Sequence, residues 1–469
     1  MTESRAKIVC TLGPSSGSKA ILFQLIKNGM DVARLNFSHG THESHQKIIR
    51  LIREGSRKYK KTVAILQDLQ GIKIRVGLFD GGQVELRKGS RVFIHPGDGR
   101  GDGQNIFISY PALLKDARKG DRVLLDDGLM QLVITGKTED ALISRVMEGG
   151  ILKDRKGVNL PGVKISLTSF TKKDERDLEL GMRMAVDYIA VSFVRNAGDI
   201  VSVRNWLRKK GKDLPIIAKI EKPEALLNID QILDVSEGIM IARGDLGVEV
   251  PPEEVPLIQK ELIRKANNRG RLVITATQML ESMKENPRPT RAEATDVANA
   301  VIDGTDALML SAETAAGQYP LQSFMMMDRI IRHTEETQKV ATDYVSSNSY
   351  PEALAYAAAR AADDIGAAIL VAFTKSGFTA RLVSKIRPKV PIIAFTSDRN
   401  VMSRLPLYWG VVPKYMRPLV HIDQLLLEME KALLKENIIK AGDRIVIIAS
   451  SPLSTRAKTN FLKLHQIGE

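Results

Sequence analysis

Pro215-Ile216-Ile217-Ala218-Lys219-Ile220-Glu221 is an apolar run carrying a lysine and a glutamate two positions apart. Ile239-Met240-Ile241-Ala242-Arg243-Gly244-Asp245-Leu246-Gly247 repeats the form one βα unit later, with an aspartate near its end. Strand side chains alternate faces, so Lys219 and Glu221 point the same way. Runs this apolar along their length are strands covered on both faces, the mark of a parallel sheet in an α/β fold. Two carboxylates at the ends of neighbouring strands suit a hard cation that keeps positions open for substrate oxygens. A lysine beside them offers a fixed positive charge to a phosphoryl or enolate oxygen. A structural ion pair on two buried strands would read the same way.

Similar runs occur at 7–12, 31–37, 62–68, 187–193, 215–221, 238–245, 271–277 and 306–313. Most are spaced by about 25 to 35 residues, the length of a βα unit. Eight such units close into a (β/α)8 TIM barrel, whose active site lies at the C-terminal ends of its strands. The exception is the gap after the third run. Residues 73–164 are rich in glycine and short strand candidates, such as Gln83-Val84-Glu85-Leu86 and Arg122-Val123-Leu124-Leu125. They read as an inserted small β-barrel domain, placed on the active-site side where it could act as a lid. Beyond residue 337, strand-like runs at 368–373, 391–395, 411–412 and 444–448 alternate with helical segments. The expected division is a barrel at 1–72 and 165–337, a lid at 73–164 and an open α/β domain at 338–469.

The chain has 469 residues, enough for several cores, with ordinary hydrophobic (43%) and charged (26%) content. Its single cysteine, Cys10, excludes an internal disulfide framework and suits a reducing cytoplasm. The polar start, Met1-Thr2-Glu3-Ser4-Arg5, lacks a signal-peptide core, and no apolar stretch is long enough to span a bilayer. The net charge of +14 is spread over runs such as 208–212, 264–271 and 431–440, and aromatics make up only 5%. Scattered charge without stacking residues argues for anionic small substrates rather than nucleic acid or a membrane.

Polar residues gather at the predicted strand ends. In Ala33-Arg34-Leu35-Asn36-Phe37-Ser38-His39-Gly40, Arg34, Asn36 and Ser38 share a face. Arg34 suits a phosphate, and Asn36 and Ser38 offer groups for a cation or a nucleotide phosphate, or caps at an ordinary strand exit. His39 could stack on a base, act as acid or base, or do neither. Asp68 ends the third run. Beyond it, Lys73 and Arg75 share a face, either addressing polyphosphate or lying as surface charge at the lid hinge. Thr277 could bind a small carboxylate, relay a proton or cap a helix, and Ser311 and Glu313 are equally ambiguous. Thr374-Lys375-Ser376-Gly377-Phe378-Thr379 sits between a strand and a helix, as an anion site or a plain cap.

Together these motifs resemble pyruvate kinase over nearly the whole chain. The resemblance rests on Asn36-Phe37-Ser38-His39-Gly40, Lys156-Gly157-Val158-Asn159-Leu160-Pro161-Gly162, the Lys219/Glu221 run, Ala242-Arg243-Gly244-Asp245-Leu246-Gly247, Ala276-Thr277-Gln278-Met279-Leu280-Glu281-Ser282-Met283 and Pro287-Arg288-Pro289-Thr290-Arg291-Ala292-Glu293, in that order. It implies phosphoryl transfer from phosphoenolpyruvate to ADP, giving pyruvate and ATP. It further implies that Glu221 and Asp245 hold Mg²⁺, or Mn²⁺ in its place, and that Lys219 stabilises the phosphoryl group and the enolate. Arg34 would bind the phosphoryl group, and Thr277 with the Gly244 N–H would grip the substrate carboxylate. Asn36, His39, Arg75 and Lys156 would serve the nucleotide. The family suggests a homotetramer; the cysteine usage points to the cytoplasm, and the loop at residues 374–379 (Thr374, Lys375, Ser376, Gly377, Thr379) is an expected site for a phosphorylated effector such as a nucleotide or sugar monophosphate.

Two departures stand out. The family's commoner form has Asp-Thr-Lys-Gly-Pro-Glu-Ile-Arg where this chain has Asp68-Leu69-Gln70-Gly71-Ile72-Lys73-Ile74-Arg75. That glutamate belongs to a K⁺ site whose other oxygens match Asn36, Ser38, Asp68 and Leu69. Here Lys73 would place an internal ammonium where K⁺ would sit, so no K⁺ requirement is expected. Many eukaryotic members bind fructose 1,6-bisphosphate with a loop rich in Gly, Trp and Arg. This chain has Ser450-Ser451-Pro452-Leu453-Ser454-Thr455-Arg456 there, and Phe378 in the phosphate loop.

Two rival readings use the same residues. A Mg²⁺-dependent lyase or aldolase making a pyruvate enolate would share the Glu221/Asp245 pair without needing Arg75, Lys156 or a lid. A non-catalytic RNA-binding protein would use the positive charge, with binding that is salt-sensitive and indifferent to Lys219.

Overall fold

The computed structural model describes residues 4–338, 349–419, 421–450 and 458–469. Eight parallel strands close into a barrel: β1 (Lys7–Thr11), β2 (Val32–Asn36), β3 (Ala64–Asp68), β4 (Tyr188–Val191), β5 (Ile216–Ile220), β6 (Gly238–Ala242), β7 (Leu272–Ala276) and β8 (Ala307–Leu310). Each coincides with one of the apolar runs, and every residue of β5, β6 and β7 is buried. Helices cover the outside. Thr41, Thr171, Asn196 and Thr290 each start one through a reciprocal capping box. Gly238 opens β6 because a side chain there would lie 2.6 Å from the Leu272 carbonyl oxygen of β7.

Every strand is shorter than its run, and at the C-terminal ends of two of them the chain turns into a helix instead. Residues 243–245 do not continue β6; Arg243–Glu249 is a short helix. Likewise Glu313 belongs to the helix Ala312–Ala315 rather than to β8. The three residues after Ala242 (Arg243-Gly244-Asp245) and after Leu310 (Ser311-Ala312-Glu313) are polar or small, so the unbroken apolar run that holds a strand between two covered faces ends there.

After β3 the chain builds a separate β unit with its own core around Val92, Ile94, Leu132 and Val146. Its main sheet runs Val158–Asn159, Arg122–Leu125, Met130–Lys137, Leu142–Glu148, Arg91–Pro96, Asn105–Ile108, and two short two-stranded sheets flank it. The C-terminal sheet runs Val411–Tyr415, Ile392–Thr396, Ile369–Phe373, Arg444–Ala449, Phe461–Gln466. Its first four strands are parallel, and the last, which the sequence reading did not anticipate, is an antiparallel edge. This unit closes the N-terminal end of the barrel: Leu407 joins the interior cluster with Val9, Tyr188 and Met309, and the Tyr188 hydroxyl donates to the Arg404 carbonyl at 2.8 Å. Among the described residues no helix is long and apolar enough to cross a membrane.

Candidate active site

Lys219 stands at the C-terminal mouth of the barrel, its side chain 11% exposed. Its ammonium donates to Ser192 Oγ at 2.8 Å and pairs with Glu221 Oε1 at 2.9 Å and Asp68 Oδ1 at 3.3 Å. Burial works against the ammonium, but Asp68 and Glu221 outweigh it and raise the Lys219 pKa, so the positive charge is permanent. Burial would raise the Asp68 carboxyl too. Lys219 and Arg34 reverse that and hold it below the usual range. Arg34 donates from Nε to Asp68 at 2.7 Å and from Nη1 to Thr11 Oγ1 at 2.9 Å, which fixes the guanidinium at the end of β2.

Glu221 follows β5 directly. Its Oε2 accepts the Phe193 N–H at 2.7 Å. Burial pushes its carboxyl above the ordinary range; Lys219 pulls it down and Asp245 pushes it up again. Asp245, in the first turn of the helix Arg243–Glu249, is exposed and lines the same cleft, of about 220 Å³. Two carboxylates on one cleft, close enough for Asp245 to act on Glu221, are a donor set for a divalent ion. Among the described residues no group of three or more His, Cys, Asp or Glu could hold a metal. An ion between Glu221 and Asp245 would therefore complete its shell with substrate oxygens and water, as Mg²⁺ does.

Thr277 and Gln278 follow β7 with φ of 69° and 53°. A β-branched residue in left-handed backbone costs on the order of 1–2 kcal/mol, and such strain concentrates at functional sites. Arg243 holds it in place, donating to the Thr277 carbonyl at 2.8 Å while pairing with Asp296 at 2.6 Å. The result turns Thr277 Oγ1 toward the Gly244 N–H, which donates to it at 2.7 Å. Glu313 is internal: Leu280 N–H and Ser311 N–H donate to it at 3.1 and 2.7 Å.

Asn36, Ser38, His39 and Lys73 line the cleft with Lys219. Asn36 Oδ1 accepts the Ser38 N–H at 3.0 Å. Burial lowers the His39 pKa, and Lys73, Arg75 and Arg34 add to it. Burial also lowers the Lys73 pKa, as does Arg75, against the opposing pull of Asp245 and Asp127. Lys73 is thus a half-buried cation within the field of Asp245. Of the four oxygens named for a K⁺ site, the Asp68 carboxylate is taken by Arg34 and Lys219, and the Leu69 carbonyl accepts from Ser192 Oγ at 2.7 Å.

Arg75 and Lys156 are not among the lining residues. Lys156 is instead drawn to Asp126 of its own lid at 2.9 Å, and Arg75 pairs through its backbone with Gly157. In the C-terminal unit, Gly377 at φ 86° precedes the helix Phe378–Ile386. Thr374 Oγ1 is buried without a hydrogen-bond partner, Lys375 and Ser376 are exposed, and the Thr379 hydroxyl is bound to Thr459 Oγ1 at 2.8 Å. Of the stretch Ser450 to Arg456, residues 451–456 lie outside the described residues.

Ser192, Phe193, Thr11 and Asp127 went unassigned in the sequence. Ser192 was within reach: it lies next to the end of the fourth run, at the place where polar residues drew attention on the second. Asp127 carried no signal, because it sits in a lid loop with no periodicity.

The family model described as pyruvate kinase, barrel domain, matches residues 3–324, and that described as pyruvate kinase, alpha/beta domain, matches residues 352–465. The pyruvate kinase of Geobacillus stearothermophilus is 46% identical over 475 aligned residues, covering 100% of this chain and 81% of that protein. Those of Corynebacterium glutamicum and Clostridium perfringens are each 42% identical, covering 100% and 99% of this chain and 98% and 100% of their own.

Proposed function

The chain belongs to the pyruvate kinase family, a family of phosphotransferases, and on that premise we propose how its own residues move a phosphoryl group from phosphoenolpyruvate to ADP. The observation that supports this reading is the meeting of Lys219, Glu221, Asp245 and Lys73 on one cleft. Glu221 and Asp245 would hold Mg²⁺, or Mn²⁺ in its place, which would supply positive charge to offset the anionic oxygens of the substrate. Thr277 and the Gly244 N–H exchange their mutual hydrogen bond for the substrate carboxylate. Arg34, fixed by Asp68 and Thr11, orients the phosphoryl group. Lys219 lies against it as the bond from the enol oxygen to phosphorus breaks and a terminal oxygen of ADP forms the new one. Lys219 then stabilises the enolate until its methylene carbon takes a proton by way of Thr277, releasing pyruvate.

Asn36 and His39 receive the nucleotide on the barrel side, with Arg75 and Lys156 on the lid side once Lys156 leaves Asp126. The residues divide as barrel 1–72 and 165–337, lid 73–164 and C-terminal unit 338–469. Lys73 serves as the internal cation, so K⁺ is not required. A homotetramer in the cytoplasm, with a phosphorylated effector at residues 374–379, belongs to the same reading.

A coupled assay with phosphoenolpyruvate and ADP, varying Mg²⁺ and K⁺ separately in Na⁺-free buffer, tests it. The expected result is ADP-dependent pyruvate release that needs the divalent ion and ignores K⁺. Strong stimulation by K⁺ would remove the role given to Lys73. Pyruvate release without ADP would point to a lyase instead.

A further inference from the structure

The helix Arg243–Glu249 does two jobs with its two ends. Its first turn carries Gly244 and Asp245; its last carries Val248 and Glu249. The Glu249 carboxylate is 1% exposed and ion-paired with Lys222, the residue after Glu221. It also accepts the side-chain amide of Asn159 at 2.8 Å. Asn159 belongs to the lid, in the strand Val158–Asn159 three residues beyond Lys156. A second lid residue, Gly128, approaches the same turn so closely that a Cβ there would lie 3.5 Å from Val248. Lys222 in turn lies over the Phe193 ring at 5.9 Å, and the Phe193 N–H holds Glu221.

The two bonds to Glu249 differ in kind. Separating Lys222 from Glu249 would strand two buried charges, which is strongly unfavourable. Separating Asn159 leaves the carboxylate still paired and lets a neutral amide return to water. The Lys222 half is therefore fixed and the Asn159 half is releasable. We propose that Glu249 is a positioning residue: a buried pin, anchored by Lys222, on which the lid closes through Asn159. This rests on the phosphotransfer reading, since closing the lid is what brings its groups to the nucleotide. Apparent nucleotide affinity then scales with the fraction of molecules whose lid is closed.

The test uses the full chain with spin labels at Lys119→Cys on the lid and Lys209→Cys on the barrel, both exposed positions. Cys10 is buried and takes no label. Asn159→Ala should shift the label distances toward longer values. In the unlabelled chain it should raise KM for ADP roughly tenfold, the scale of one hydrogen bond to a charged group, with kcat nearly unchanged. Asn159→Asp, which sets carboxylate against carboxylate, should do more. Asn159→Asp combined with Glu249→Gln restores one amide-to-carboxylate bond across the gap and should lie nearer the wild type than either single variant. Distances equal to wild type in Asn159→Ala would overturn the pin. Changed distances with an unchanged KM for ADP would overturn its part in the transfer. A wild type without turnover would overturn the phosphotransfer reading instead, while the distances still decide the pin.

Discussion

Each end of the barrel buries a lysine, but in contrasting surroundings. At the C-terminal mouth Lys219 meets two carboxylates, Asp68 and Glu221, and its pKa rises. At the N-terminal end Asp306 is a single carboxylate shared by Lys385 at 2.5 Å and Arg387 at 2.9 Å, both from the C-terminal unit. There burial dominates, Asp306 compensates only in part, Arg387 competes, and the Lys385 pKa falls to about 8. The larger void lies at this closed end, about 1060 Å³ against about 220 Å³ at the mouth. Volume therefore does not locate the chemistry here. What does is charge balance: at the mouth the exposed Asp245 carboxylate stands on the cleft with Glu221, whereas Asp306 is shared between two cations.

Breaking the closed end should cost most. Asp306→Ala leaves two buried cations without a counter-charge, and a loss of about 3–5 kcal/mol in chemical denaturation is expected, with turnover of the folded fraction preserved. A wild-type melting curve would mean that the cluster does not tie the C-terminal unit to the barrel. At the mouth, Lys219→Met should keep the circular dichroism spectrum and lower turnover by about 10²–10³-fold, as removal of one preorganised charge does. Near-normal turnover would deny Lys219 its role.

The smallest effect sharpens the contrast through its sign. In Lys385→Met, Arg387 still pairs with Asp306, so stability at neutral pH should change little. Folded Lys385 loses its proton near pH 8 and unfolded Lys385 near about 10.4. Between those values the unfolded chain binds the extra proton, so wild-type stability should rise relative to the variant over that window and stay level below it. Paired denaturation curves from pH 7 to about 10 read this difference. A difference that falls with pH would mean Lys385 behaves like Lys219, with its charge stabilised rather than penalised.

Legibility followed the same division. The eight barrel strands were readable because an unbroken apolar run is a local consequence of being covered on both faces. The shared face of Lys219 and Glu221 was readable because alternation is a property of one strand. Ser192 as a partner of Lys219 was not, since a contact from the loop after β4 to a side chain on β5 depends on how two strands pack rather than on the pattern within one. The antiparallel strand Phe461–Gln466 was missed for a related reason: its residues are mostly half-exposed at a sheet edge and lack the buried pattern.

By itself the sequence determined the strand rhythm, the inserted β unit and the motif order that marks the family, all set within short windows by periodicity and residue type. The tertiary structure alone decided that Arg243–Glu249 turns helical, that Lys156 rests on Asp126, and that Asp306 receives cations from 79 and 81 positions away. Local pattern fixes which way a side chain faces. Which distant charge it faces, and hence its pKa, exists only once the chain has closed on itself.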